Sequence, residues 1–386
     1  MTRSPARKRR TVRRRSLVAV VLLFAGIQLT TCEPVWAVDS KTDAFLGLPS
    51  PRFATAPDAE RRLGQTLFFD RRLSFNGTMS CAMCHVPEQG FGSSASRTAI
   101  GIEGRSLSRN APTLLNVGWL ARLFHDGREN SLAHQAWAPL LNPLEMANPS
   151  TGYVLEKIAA LPEYGPLFEA AYGNPAPTMA QVGEALQAFE RSLVAGGSRF
   201  DRWYYGGRAD ALSAREQAGF GLFTGKARCS SCHHLGQAGS LFTDQAYHAT
   251  GASLQVPESG AHDVRLAATT STRITEIELA AFASPVKPDL GRFEITLDPA
   301  DRFAFRTPGL RNVERTAPYM HDGSLPTLEA VVDFYDHGGG RVPNKSPLIQ
   351  PLALTREEKA ELVAFLKTLT APAADALPGL LRSAGP

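Results

Sequence analysis

Two pentapeptides constrain this 386-residue chain more than any other feature: Cys81-Ala82-Met83-Cys84-His85 and Cys229-Ser230-Ser231-Cys232-His233. Two thiols two residues apart, followed at once by His, form the attachment signal for haem c. The thiols add across the vinyl groups of one porphyrin, and the His reaches its iron. The two copies use every cysteine except Cys32. A pair of zinc half-sites or a redox dithiol would leave both histidines unexplained. Two covalently bound haem c groups are therefore expected. Each porphyrin adds a large apolar surface, so a chain with 27 prolines and 33 glycines can still assemble a core.

Residues 1–37 have the pattern of a secretory signal peptide. Eight basic residues lie between Arg3 and Arg15, the run from Leu17 to Leu29 is apolar, and Val35-Trp36-Ala37 offers a small-residue cleavage pattern. No later stretch approaches the ~20 apolar residues needed to span a bilayer, so no membrane span is expected. Haem c attachment normally accompanies export in bacteria, and the expected location is the periplasm. The leader carries +7 of the formal net charge of +4, which leaves −3 for residues 38–386. Nothing in that balance favours a nucleic-acid partner.

The two haem motifs start 148 residues apart. The expected division is a first domain over 38–205 and a second over 206–386, with Gly196-Gly197 and Gly206-Gly207 marking the turn-rich boundary. The chain reads as mainly α with long loops. Helical patterns cover Met179–Leu193, Ala211–Leu222 and Thr355–Leu369, the last with Thr355 and Glu358 at capping-box spacing. Phe293–Leu297 reads as a short β segment, and 236–310 as an extended insertion over the second haem. No short internal repeat is expected beyond the two haem units.

The chain resembles the bacterial di-haem cytochrome c peroxidase and MauG family over nearly all of residues 38–386. Three strings carry the resemblance besides the haem motifs: RNAPTLLN (109–116), FHDGRENSLAHQAWAPLLNPLEM (124–146) and FRTPGLRNVERTAPYMHDGSLPTLEAVVDFY (305–335). It implies two cytochrome c-like domains, each with a covalent haem, and one calcium ion between them. It also implies reaction with hydrogen peroxide at the first haem and electron transfer through the second.

On that resemblance His85 and His233 are the proximal iron ligands. Glu145 matches the distal acid–base residue, Gln135 a second distal polar group, and Pro139 the distal proline. The distal His found in many members is replaced by Ile102, and no His lies between His85 and His125; this favours an open first iron. Tyr335 matches the distal ligand position of the second haem, with Met320 the competing ligand. His125 stands where the family commonly has Trp between the haems. Asn110, Thr316 and Pro318 match the calcium-contacting positions, Pro318 through its carbonyl.

These departures favour a MauG-type oxidase that uses hydrogen peroxide, through a high-valent di-haem state, to oxidise Trp on a partner protein, with kynurenine as one product. The alternative is a periplasmic peroxidase that reduces hydrogen peroxide with electrons from a small cytochrome or copper protein. A simple di-haem electron carrier is a third reading, which has little use for Glu145.

Overall fold

The computed structural model describes residues 44–252, 261–267, 270–275 and 288–383. The signal-peptide segment and Cys32 lie outside them, as does part of the 236–310 stretch.

Helices dominate, in the order α1 (Asp58–Phe69), α2 (Cys81–Cys84), α3 (Leu132–Gln135), α4 (Trp137–Leu141), α5 (Thr151–Ala159), α6 (Tyr164–Tyr172), α7 (Met179–Arg191), α8 (Arg199–Tyr204), α9 (Ala214–Thr224), α10 (Phe293–Thr296), α11 (Leu328–Asp336), α12 (Arg356–Lys367) and α13 (Pro372–Ser383). Short 3₁₀ turns and four short strands complete the regular structure of the described residues, and long loops join them. Strand β1 (Tyr247–Ala249) pairs antiparallel with β4 (Ala304–Arg306), His248 opposite Phe305. Strands β2 (Ala261–Ala267) and β3 (Thr270–Thr275) form an antiparallel hairpin. Among the described residues, no helix is long and apolar enough to cross a membrane.

Local chemistry explains where the helices begin. Thr178 with Gln181, Ser198 with Asp201, Ser213 with Glu216 and Thr355 with Glu358 all close reciprocal capping boxes. Each satisfies backbone N–H groups that the first helical turn leaves without partners. The Ser213 box moves the start of α9 past the expected Ala211, where a 3₁₀ turn (Ala209–Ala211) stands instead. Gly197 and Gly207 adopt positive φ on either side of α8, so the expected boundary holds a helix as well as turns. The expected β segment at 293–297 is a helical turn. There Leu297 N donates to Phe293 O at 2.9 Å, a local bond in place of a strand pairing.

Two hydrophobic clusters form. The first is built on Leu63, Phe68, Phe91, Trp137, Leu186 and Phe189; the second on Phe200, Phe223, Phe242, Val332, Leu362 and Phe365. Ala371 and Ala374, at the start of α13, return the chain end to the first cluster. Across the seam, the buried Arg311 guanidinium forks onto Asp201 (2.7 and 3.0 Å) and donates to the Gly47 and Ser240 carbonyls.

The two halves share elements of one plan, which extends the two expected haem units beyond their attachment motifs. α1 crosses α7 where Gly64 lies against the Ala185 carbonyl and the Phe189 side chain. α9 crosses α12 where Gly219 lies against the Glu361 carbonyl and the Phe365 side chain. An added Cβ would stand 1.8 Å and 2.0 Å from those carbonyl oxygens, so both crossings need glycine. A second correspondence runs at a constant offset of 196 residues. Asn116 and Asn312 both take left-handed φ (61° and 60°) before a 3₁₀ turn. Phe124 and Met320 do so again (63° and 71°), in the loops that hold His125-Asp126-Gly127 and His321-Asp322-Gly323. Ser131 and Thr327 then cap α3 and α11. The loops exchange backbone bonds across the seam: Asn110 N donates to His321 O, and Arg306 N to His125 O, each at 2.7 Å.

Candidate active site

The repeat places both attachment motifs in matching surroundings. The Cys81–His85 turn closes with His85 N donating to Cys81 O, and the second turn with His233 N donating to Cys229 O, both at 2.9 Å. His85 Nδ1 meets the Phe91 carbonyl at 3.1 Å, and His233 Nδ1 the Phe242 carbonyl at 2.8 Å. A carbonyl can only accept, so Nδ1 carries the proton and Nε2 is left as a lone-pair donor. Burial holds both imidazoles below the ordinary His range, which keeps them in the neutral form a metal ligand requires. His234, next in sequence, is exposed and reaches only the Ser231 carbonyl at 3.2 Å. None of the four motif cysteines is joined in a disulfide, so all four sulfurs are left for thioether attachment.

Glu145 lies close enough to Cys81 and Cys84 that its charge would raise both thiol pKa values. Its Oε1 accepts from Asn142 Nδ2 at 2.7 Å, and its backbone carbonyl accepts from Ile102 N at 2.9 Å. That second bond brings the Ile102 loop beside Glu145. Burial raises the Glu145 carboxyl above the ordinary carboxylate range; the Asn142 bond and the Arg128 charge oppose it. Gln135 ends α3 half-buried, and among the described residues no side-chain hydrogen bond ties it to a partner. Its counterpart 196 residues on, Val331, lines the cavity of the second motif.

That second cavity, of about 320 Å³, is lined by Cys229, Cys232, His233, Met320 and Tyr335. Tyr335 retains some accessible surface, but the protein surrounds it; the accessible part faces the cavity. Burial pushes its phenol far up, and the Cys232 and Cys229 charges push the same way. Met320 also lines the cavity, from a strained left-handed position. The repeat separates the two. Met320 corresponds to Phe124, whereas Tyr335, eight residues beyond its Thr327 cap, corresponds to Pro139, eight beyond Ser131. One equivalent position thus carries a phenol in the second half and a side chain with no donor atom in the first.

His125 lies at the seam and lines the second cavity. Its Nε2 meets the Asn110 carbonyl at 3.0 Å, and burial, with the nearby His321, Arg109 and Arg306, lowers its pKa to about 4. The ring is therefore neutral at neutral pH, with Nε2 donating. His321 stacks face to face on Phe305, centroids 3.6 Å apart. Asn110 Nδ2 donates to the Pro318 carbonyl at 2.7 Å, while Asn110 Oδ1 is buried without a partner among the described residues. Thr316 lines the same space. Trp119 and Trp137 serve packing, their indoles donating to the Pro49 and Met179 carbonyls at 2.8 and 3.2 Å. Trp203 and Tyr205 pack on the second cluster, and Tyr204 is exposed.

Comparison with known proteins gives the family. Residues 58–209 match the family model for di-haem cytochrome c peroxidase. The chain is 39% identical to the methylamine utilization protein MauG of Methylorubrum extorquens, over 86% of this chain and 84% of that protein. The chain belongs to the di-haem cytochrome c peroxidase family. It is also 35% identical to the cytochrome-c peroxidase IdrP1 of a Pseudomonas species, over 84% of each chain. Other relatives are predominantly named as cytochrome c peroxidases. Among solved structures, a MauG-like protein associated with microbial copper homeostasis superposes with a TM-score of 0.71 at 33% identity, covering 86% of this chain and 96% of that one.

Membership of the di-haem peroxidase family makes this a haem-dependent oxidoreductase, and the two matched attachment turns are consistent with its two haem c groups. Sequence reasoning missed the repeat and, with it, one buried group. Glu190 on α7 is 6% exposed, and its Oε2 has no partner among the described residues. The recurrence of His-Asp-Gly after 196 residues, each followed four residues later by a hydroxyl helix cap, was the available signal.

Proposed function

We propose that this chain is a periplasmic enzyme that cleaves hydrogen peroxide at the first haem and draws the reducing equivalents through the second. One observation carries the reading: Glu145, a carboxyl raised by burial, stands beside the first attachment turn, in the half where Pro139 takes the place equivalent to Tyr335. Haem, when bound by Cys81, Cys84 and His85, supplies an iron that can accept peroxide oxygen and store oxidising equivalents. The residues of this chain do the rest. Glu145 would accept a proton from hydrogen peroxide and return it to the leaving oxygen. Gln135 orients peroxide or water by hydrogen bonding. His85, fixed by the Phe91 carbonyl, would supply the imidazole ligand.

In the second half Cys229, Cys232 and His233 would hold a haem, and Tyr335, which lines the same cavity, would supply an oxygen ligand to it. Such an oxygen ligand favours the more oxidised iron states. The partnerless Asn110 Oδ1, the Pro318 carbonyl and Thr316 offer oxygen donors of the kind calcium takes. An ion there would tie the two halves at the seam. His125, neutral and fixed to the Asn110 carbonyl, is the side chain through which the two centres communicate.

Most relatives are named cytochrome c peroxidases, which supports a small cytochrome as electron source; a small copper protein is the other donor of that kind. Tyr335 supports a second reading, in which electrons come from Trp residues of a partner protein, as in MauG-type oxidation with hydroxylated, cross-linked or kynurenine products. Peroxide turnover with a reduced small c-type cytochrome as probe separates the two. Turnover fast enough to exhaust the donor is expected for the peroxidase. Slow turnover, with a long-lived peroxide-oxidised enzyme that is reduced by a Trp-bearing protein, would replace that reading with the second. No reaction with peroxide would overturn both.

A further inference from the structure

The repeat isolates one buried acid that the mechanism leaves unused. The contacts of Gly64 and Gly219 pair Phe189 with Phe365, and therefore Glu190 with Leu366. Leu366 lines the cavity of the second attachment motif. Its counterpart in the first half is a carboxyl, 6% exposed, with Oε2 partnerless among the described residues. It lies close enough to Cys81 to raise that thiol. Equivalent helices thus bring an apolar side chain to one haem site and an acid to the other. A purely structural carboxyl buried with an unsatisfied oxygen is costly, and a leucine fits the equivalent place.

The groups on neighbouring elements do not neutralise Glu190. On α1, Asp58 pairs with Arg61 at 3.3 Å, Arg62 is exposed, and Glu60 interacts with Glu184 and Arg191 of α7. Arg191 turns its guanidinium over the Phe53 ring. His134 on α3 is exposed. The other acid near the attachment turn is Glu145, which is bonded to Asn142. Burial alone drives the Glu190 pKa, up to about 8. A group poised there changes protonation near neutral pH in response to a change of charge beside it.

Resting on the haem reading of Cys81–His85, we infer that Glu190 is the proton partner of the first haem's redox change. When one electron reaches that haem from a one-electron reductant, Glu190 takes up one proton from water; when the electron leaves, Glu190 releases the proton. No bond other than the carboxyl O–H forms or breaks. The coupling keeps the net charge of the buried site constant, a condition the second half, with Leu366, does not meet.

Mediated spectroelectrochemical titration of the holoprotein at a series of near-neutral pH values tests this. In the wild type the first-haem midpoint potential is expected to fall with rising pH, by up to about 59 mV for each tenfold change in proton activity at one proton per electron. The second-haem potential changes less. Glu190→Gln, which keeps shape and removes the titration, is expected to flatten the first wave, and Glu190→Leu to do the same. A wild-type first wave independent of pH, or an unchanged slope in Glu190→Gln, overturns the inference. Absence of any first-haem wave overturns the underlying haem reading instead. Reduced-minus-oxidised infrared spectra of the wild type give a check that needs no variant. They should gain a carboxylic-acid C=O band that shifts in D₂O, and its absence rejects proton uptake by a buried carboxyl.

Discussion

Replacing Glu145 with Gln is expected to slow O–O cleavage of hydrogen peroxide by about 10²–10⁴-fold, the range typical of a lost acid–base group. Gln keeps the volume, and its amide oxygen can still accept the 2.7 Å bond from Asn142. The fold and the first-haem spectrum should therefore survive while the proton shuttle is lost. The pH dependence has a definite sign. Burial raises the Glu145 pKa, so the proton-accepting carboxylate is depleted earlier on acidification than an exposed glutamate would be. The wild-type rate should fall as pH drops through that raised pKa, and the variant should show no such limb. Stopped-flow mixing with peroxide measures both. A Glu145→Gln rate equal to wild type at every pH would remove Glu145 from the chemistry.

Asp201→Ala is expected to be the most damaging substitution for stability, at about 3–5 kcal/mol, because it leaves the Arg311 guanidinium buried and uncompensated. The pair is inaccessible on both sides, with side-chain exposures of 3% and 0%. Asp201 also accepts from Ser198 N and Oγ at 2.9 and 2.7 Å, so the same change opens the cap of α8. Arg311 holds the Gly47 and Ser240 carbonyls, so the loss spreads to the N-terminal segment and to the loop after the second attachment turn. Replacing both members with apolar residues of similar volume should cost much less than the single change, since no stranded charge remains. Urea unfolding of the holoprotein, run as a double-mutant cycle, gives the comparison. A cost for Asp201→Ala typical of an exposed ion pair would show that the buried fork is not what closes the seam.

Legibility in the sequence followed the range of the interactions. The capping residues Thr355 and Glu358 act within four positions, so the start of α12 was predictable, and α7 extends close to its expected span. The start of α9 was misjudged because the apolar pattern extends upstream of the Ser213–Glu216 box that ends it. Phe293–Leu297 has strand-forming residues, but strand formation depends on an available partner, and that is a tertiary fact. The attachment motifs and their histidines were local and plain. The carbonyls that orient those histidines, at Phe91 and Phe242, come from loops whose left-handed φ (both 56°) no residue type signals, since Phe does not favour it. In the sequence Glu190 is one of three charged residues on α7, with Glu184 and Arg191, and nothing in the pattern marks it out. Only the α1–α7 crossing at Gly64 turns it inward toward the first attachment turn.

The central claim is that one repeated position, Pro139 in the first half and Tyr335 in the second, makes two similar haem sites chemically unequal. Low-temperature EPR of the resting ferric holoprotein tests it most directly, with Tyr335→Phe alongside. The account predicts one high-spin signal from the first haem and one low-spin His/Tyr signal from the second. Both should disappear after one equivalent of peroxide, and Tyr335→Phe should lack the low-spin His/Tyr signal from the outset. Two low-spin signals at rest, or a His/Met signature that survives Tyr335→Phe, would contradict it.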